Sequence, residues 1–561
     1  MNKYIIMFSV CCLCLTACVG DLDTMPLDDN QVVDAEVYST KEGYLGVLAK
    51  CYASLILTGQ QGGDGGDGDL EGANEGYSGY VRLLFYLEEL CTDNFLMPSS
   101  SNGLRNCLNI TWTSSTSVVT WTYQRLYMSI AYCNEFLRQC TQSEMEDYGV
   151  WDEMKDDYLA YRAEARFIRA YCYSMLCDLF GAVPLIDETV GVTDIPDQVS
   201  REEIFDYAES ELMSVLNGDD EDELIDAGEN EYGRVDKAAA WFLLARMYLN
   251  AYTWIGENRY EDCYTYAKKV IDCGVYPLAS DYRHIFLADN DECSEIIWPL
   301  VQDGERAQSS AGTNFYVKAF VNGAMDELYN TGVGSKGWGN VRSKTTLVDA
   351  FDEEDVYFDT EDTWGDNKND KRAQFMTALD GQTKETWDEN LDMTSTFTCG
   401  YGYIKWRNVT KEDEICESGD TYTSIDFPMF RTGDAYLMAA EALLRLGENR
   451  SEALGYVNEI RNRAYMSGSY AQDGISSEVS GEISDSELDL DFILAERQRE
   501  MASEITRRTD LIRFGKFTTG YNWDWKNAER LGSDVDDHYV LYPIPESELT
   551  NNPNLIQNDG Y

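Results

Sequence analysis

The side chains able to do chemistry are unevenly supplied in this 561-residue chain. Histidine occurs only at His284 and His538. They lie far apart in sequence, so a histidine-based triad or a histidine-rich zinc site has poor support. No nucleophile elbow, phosphate-binding loop or dinucleotide fingerprint stands out. A carboxylate pair is what glycoside hydrolysis needs, but among 101 acidic residues neighbouring carboxylates carry no information. Residues 67–72, DGDLEG, begin like a calcium loop. The twelfth position is Ser78 where a glutamate is required, so calcium is weakly supported and no cofactor is expected.

What the chain has in excess is rings: 38 Tyr, 20 Phe and 12 Trp. Most must be packing, but in an acidic, exported chain this composition fits binding of carbohydrate or peptide, with flat rings laid on sugar faces. Such a ring has to stand on a loop. Trp338, in SKGWGN, is the first candidate, because a glycine on each side leaves it without helical support. Tyr401 and Tyr403, in CGYGYIKW, alternate as in a strand, with Trp406 close behind. Trp121 shares a helical stripe with Leu126 and Ile130 and reads as core. The formal net charge of -57 argues against nucleic acid, whose phosphates would be repelled.

The start of the chain explains the export. Met1, Asn2 and Lys3 precede an apolar run over 4–15, which is the size of a signal-peptide core and shorter than the ~20 residues that span a bilayer. Residues 15–18, LTAC, resemble a bacterial lipobox, in which Cys18 is acylated and becomes the first mature residue. Several acyl chains anchor durably. Asp21 and Asp23 resemble the surface-export signal of Bacteroidetes lipoproteins. The expectation is a signal over 1–17, a lipidated tether over 18–40, and a body tied to the outer membrane and facing outside. Twelve cysteines follow Cys18, scattered and with no C-x-x-C pair. Cys133, Cys140, Cys172 and Cys177 fall within helical patterns as small core residues, and any disulfide pairing stays open.

The elements that must position the rings read mainly as helices. Apolar stripes predict helices over 41–57, 82–90, 120–140, 158–180, 200–215, 237–252 and 260–273. Ser200 and Glu203 form a capping box. Between the first two helices, nine of the 21 residues from 59 to 79 are glycine, so that stretch is expected to be a surface loop. Arg162, Arg166 and Arg169 share one stripe and are expected to pair with carboxylates on neighbouring elements. An echo then appears. Helix 237–252 leads through GENR at 256–259 into another helix, and helix 434–446 leads through GENR at 447–450 into another. Each unit is the size of a tetratricopeptide repeat, whose apolar face is buried by the next pair. Pairs at 41–90 and 118–180 are candidates for further members. Residues 275–430 break the pattern and are expected to carry binding loops.

The last residues, LYPIPESELTNNPNLIQNDGY at 541–561, resemble the ending of SusD/RagB-family outer-membrane lipoproteins. RAEARFIRAYCYSMLCDLFGAVPL, GRVDKAAAWFLLARMYL, FRTGDAYLMAAEALLRLGE and the pair LAERQREM and DLIRFGKF agree with that family in order. The resemblance implies a mainly α fold: about four tetratricopeptide-like helix pairs with a loop-rich, ligand-binding insertion. That divides the chain into an N-terminal scaffold at 41–274, the insertion at 275–430 and a C-terminal helical region at 431–561. It implies a non-catalytic surface lipoprotein that partners a SusC-like TonB-dependent barrel as its lid and captures ligand, usually an oligosaccharide. Capture of peptides on the same scaffold is the alternative, and a surface glycoside hydrolase is a weaker one. Family ligand contacts tend to follow the first helix pair, which here points to Tyr77, Tyr80, Asp93, Asn94, Asn102 and Trp112. One departure is visible: the family often has glycine where Ile505 stands and an aromatic where Arg508 stands.

Overall fold

The computed structural model describes residues 34–59, 68–191, 194–218, 221–356, 365–378, 381–386, 399–416, 421–472 and 474–561. The lipobox with Cys18, most of the tether and the centre of the glycine-rich stretch lie outside them. Among the described residues no helix is long and apolar enough to cross a membrane.

The scaffold is a run of stacked helices. Before the insertion come α1 (Lys41–Ala53), α2 (Ser117–Gln139), α3 (Tyr158–Leu179), α4 (Arg201–Asn217), α5 (Lys237–Ile255) and α6 (Tyr260–Asp272). Within the insertion lies the short α7 (Thr313–Ala319). After it come α8 (Thr432–Leu446), α9 (Arg450–Ala464), α10 (Leu490–Met501) and α11 (Arg507–Arg513). Each scaffold helix packs on its neighbour in the order α1, α2, α3, α4, α5, α6, α8, α9, as four helix pairs do when stacked.

Local chemistry sets the ends of these helices. Ser200 and Glu203 make the reciprocal capping box of α4, and the Asp236 carboxylate accepts the Ala238 and Ala239 N–H groups at the start of α5. Gly256 and Gly447 both stop their helices in the left-handed conformation, φ 78° and 71°. The two echoed units share the glycine stop but enter their second helices differently, from Arg259 at φ -120° and from a left-handed Asn449 at φ 40°, and α6 of the first packs on α8 of the second.

One pairing differs from expectation. α1 lies against α2 and α3, while the helix Tyr80–Leu84 packs on α2 and α7. The loop between them is too long to force a hairpin, so each finds its own apolar partner.

The insertion is sewn into the scaffold by β2 (Ile296–Leu300), which pairs antiparallel with β6 (Phe427–Arg431), and β6 runs straight into α8. Every residue of both strands is buried. Beside them is a network of buried ion pairs. Arg431 reaches Glu295 at 2.9 Å, Glu500 at 2.7 Å and Glu504 at 2.6 Å. Arg372 reaches Asp370 at 2.7 Å, Glu496 at 2.8 Å and Glu500 at 3.0 Å. Arg463 pairs with Glu295 and Glu500. Burial alone would raise the Glu500 pKa, but Arg463, Arg431 and Arg372 hold it down at about 2. The arginine stripe of α3 pairs as expected: Arg162 with Asp222, Arg166 with Glu211 and Asp222, Arg169 with Glu188 and Glu211.

The departure near the end of the chain has a physical form. Ile505 has φ 54°, a left-handed backbone that favours glycine. Arg508 is fully buried, its guanidinium carbon 4.7 Å from the centre of the Tyr542 ring. A flat cation thus stacks where the family often has a flat ring.

Candidate functional site

The site is built on a small patch of antiparallel chain. β1 (Phe95–Leu96) pairs with β3 (Arg342–Ser343). On the far side of β3 the Ser343 N–H donates to the Tyr401 carbonyl at 2.7 Å, and β4 (Phe375–Met376) pairs with β5 (Gly402–Tyr403). In an antiparallel pair, the chain leaving β1 and the chain entering β3 meet at the same end. The turn carrying Asn102 and the loop carrying Trp338 both extend from that end.

Trp338 is fixed by its backbone. The last carbonyls of a helix lack partners within it, and those of α7 are taken by this loop. Lys318 O accepts the Trp338 N–H at 2.7 Å, and Ala319 O accepts those of Asn340 and Val341 at 2.8 Å. The preceding glycine is required by closeness: a Cβ on Gly337 would fall 2.5 Å from the Val321 carbonyl oxygen. The indole is left partly exposed.

Tyr77 comes from the other side of the chain to the same place. Between the two rings lies Arg82, which is buried. Its guanidinium carbon is 4.2 Å from the Tyr77 ring centre, 4.7 Å from Phe315 and 5.5 Å from Trp338. Its Nη1 donates to Gly76 O at 2.7 Å and its Nε to the Tyr86 hydroxyl at 2.6 Å. A planar cation fixed by these bonds, and by a longer one from Nη1 to Ser310 O at 3.5 Å, thus sets two partly exposed rings around it.

Behind these rings runs a chain of ring contacts. Trp338 meets Phe315 at 6.3 Å, Phe315 meets Phe85 at 5.1 Å, Phe85 meets Phe95 at 5.7 Å and Phe95 meets Tyr403 at 5.9 Å. Tyr403 meets Phe375 at 5.3 Å, and Phe375 meets Tyr401 at 6.5 Å. Its interior members are buried, while Trp338 and Tyr401 at its two ends are partly exposed. Tyr77, Asn102, Trp338 and Tyr401 are therefore the four sequence candidates with open surface.

The other candidates lie inside, and their polar groups are taken. Tyr80 is 2.7 Å, hydroxyl to hydroxyl, from Tyr171. Asp93 accepts two hydrogen bonds from Arg507 at 2.7 Å and one from the Tyr521 hydroxyl at 2.8 Å. Asn94 donates to Glu89 at 2.8 Å and accepts from Gln498 at 2.9 Å. The Trp112 indole donates to the Tyr561 hydroxyl at 2.7 Å, and the Tyr403 hydroxyl donates to Arg372 O at 3.1 Å. All five are buried, so the structure corrects their placement as surface contacts: they hold the site's frame together. Trp121 is core, as expected. In the calcium-like loop, Asp69 binds Arg125 bidentately at 2.5 and 2.7 Å, and Asp67 lies outside the described residues. No cluster able to hold a metal occurs among the described residues.

Sequence reasoning missed Arg82 and Phe315. Arg82 sits in a helical segment whose other residues are apolar, YVRLL, which is the available signal for a buried arginine. Each histidine is engaged locally, His284 beside Asp289 and His538 beside Asp536. A groove of about 570 Å³ lined by Gln198, Ser200, His538, Ile556 and Asn558 carries no partly exposed tryptophan or tyrosine.

The fold and site define a class: a helix-repeat protein with partly exposed rings on one patch of its surface. The sequence comparisons agree and go further. A profile described as "SusD family" matches residues 294–561, and one described as "Starch-binding associating with outer membrane" matches residues 71–249. The "Starch-binding protein SusD" of Bacteroides thetaiotaomicron is 33% identical over 98% of this chain and 96% of its own length. "SusD-like protein P2" of Formosa agariphila is 24% identical over the whole of both chains. Among solved structures, a SusD superfamily protein from Bacteroides thetaiotaomicron matches with a TM-score of 0.67 at 19% identity, covering 92% of this chain and 99% of its own. Surface glycan-binding protein A of the same organism, in complex with laminarihexaose, matches with a TM-score of 0.64 at 18% identity and the same coverage. The chain belongs to the SusD family, with the mainly α fold of that family, and is non-catalytic.

Proposed function

We propose that this protein captures a glycan at the cell surface, on the face formed by Trp338 and Tyr77 and extending towards Tyr401. The observation that carries the reading is the convergence of Trp338 and Tyr77, 261 positions apart in sequence by subtraction of their numbers, on one buried guanidinium, Arg82. Partly exposed rings held rigid in this way lose little entropy when a flat ligand stacks on them. Support also comes from a relative named for starch binding and a similar structure holding laminarihexaose. In this reading residues 275–430 supply the principal binding loops. Acylated Cys18 ties the body to the outer membrane, facing outside, and a SusC-like TonB-dependent barrel receives the ligand with this protein as its lid.

The test is binding of residues 19–561 to a panel of plant and host glycans beside a peptide panel. Binding to one glycan class is expected. Binding to peptides alone would replace this reading with peptide capture. For the transport role, deletion of the protein is expected to impair glycan uptake at limiting ligand only in cells that have the barrel; unchanged uptake would remove the lid role.

A further inference from the structure

Rings give a sugar a place to lie, but they do not distinguish one pattern of hydroxyls from another. That takes donors and acceptors, and a pocket carries few of them. Two asparagines have such groups unused, one on the helix that holds the Trp338 loop and one on that loop.

Asn314 lies on α7 and is 1% exposed. Neither its Oδ1 nor its Nδ2 finds a partner, and among the described residues it is the one side chain with both atoms of an amide left so. Buried polar groups are nearly always paired, so one that is not asks for an explanation. Its position supplies one. It precedes Phe315, whose ring meets Trp338 at 6.3 Å. It also lies on the helix whose Lys318 carbonyl accepts the Trp338 N–H at 2.7 Å. Asn340 stands two residues past Trp338, with its backbone N–H held by Ala319 O at 2.8 Å. Its side chain is partly exposed, and its Oδ1 also lacks a partner.

We propose that Asn314 and Asn340 are the hydrogen-bonding half of the binding site, reading hydroxyls of the sugar stacked on Trp338. Asn340 donates to a hydroxyl directly from its Nδ2, its Oδ1 being buried. Asn314, one layer deeper, is reached through a bridging water, which costs little compared with a direct bond. The unpaired amide is then a group kept for ligand at the expense of the free protein's stability. This rests on the glycan reading above.

The experiment is calorimetric titration of residues 19–561 with maltohexaose and with laminarihexaose, beside thermal melts. It compares the native chain with Asn340→Ala, Asn314→Leu and Trp338→Ala. Each asparagine variant is expected to weaken binding about tenfold, the effect of one lost hydrogen bond to a ligand. Asn314→Leu is expected to melt no lower than the native chain, because it removes an unpaired buried amide. If both asparagine variants bind like the native chain while Trp338→Ala does not, this proposal is overturned and the glycan reading stands. If Asn314→Leu melts lower, the role of Asn314 is structural and its assignment falls, leaving Asn340→Ala to decide the rest. A native chain that binds neither sugar overturns both readings.

Discussion

The guanidinium carbon of Arg82 stands 4.2 Å from the centre of the Tyr77 ring. That contact ties the end of the glycine-rich stretch to the frame on which Trp338 rests. Arg82→Met keeps the stem but loses the charge, the flat face and the bonds to Gly76 and Tyr86. Glycan affinity is expected to fall about tenfold. Arg82→Lys is expected not to restore it, because an ammonium cannot stack flat or donate in the same fork. Titration of the two variants checks this; full rescue by lysine would show that charge alone matters.

Arg431 serves three carboxylates at once, Glu295, Glu500 and Glu504. Arg431→Met leaves them buried and short of a cation, at a cost of about 3–5 kcal/mol. Denaturant unfolding measures it. A loss below about 1 kcal/mol would mean that Arg463, Arg372 and Lys405, which pairs with Glu504 at 2.5 Å, hold those acids without help.

Glu88 gives a pH dependence whose sign can be worked out. The Thr509 hydroxyl lies 3.1 Å from Glu88 Oε2 and 2.6 Å from Asp178 Oδ2. It has one proton for two acids, an arrangement that a proton on Glu88 completes. Burial pushes the Glu88 carboxyl up to about 8, against the pull of Arg508. The native chain therefore binds this proton at a pH where the unfolded chain has released it, and stability falls as pH rises from the ordinary carboxylate range to about 8. Glu88→Gln mimics the protonated form. Its melting temperature is expected to fall less steeply than that of the native chain between pH 5 and 8, a window bounded by the ordinary carboxylate range and the raised value. Glu89 and Asp426, each raised to about 7 by burial, keep some slope in the variant. Equal slopes would contradict the protonated carboxyl.

The twelve cysteines among the described residues are free. Reductant is therefore expected to leave the melting temperature unchanged. A native disulfide contributes about 2–4 kcal/mol, so a clear drop on reduction would reveal one.

Much of the scaffold was legible because its signals are local. The capping box at Ser200, the glycine stops at Gly256 and Gly447 and the α3 arginine stripe each depend on residues a few positions apart. Trp338 was legible for the same reason, since its flanking glycines announce a tight loop. Tyr80, Asp93, Asn94 and Trp112 were misplaced because what buries them is remote: Tyr171, Arg507, Gln498 and Tyr561 pair with them across 91 to 449 positions. No pattern within a segment shows such a partner. The network around Arg431 was hidden likewise, because its members look like ordinary surface charges until α8, α9 and α10 are packed together.

The measurement that tests the central claim most directly is the crystal structure of this protein with maltohexaose bound. The account predicts a sugar ring lying face-on against Trp338, beside Tyr77 and the Arg82 that sets them. A sugar bound elsewhere, for example in the groove between Gln198 and Asn558, with Trp338 bare, would contradict it.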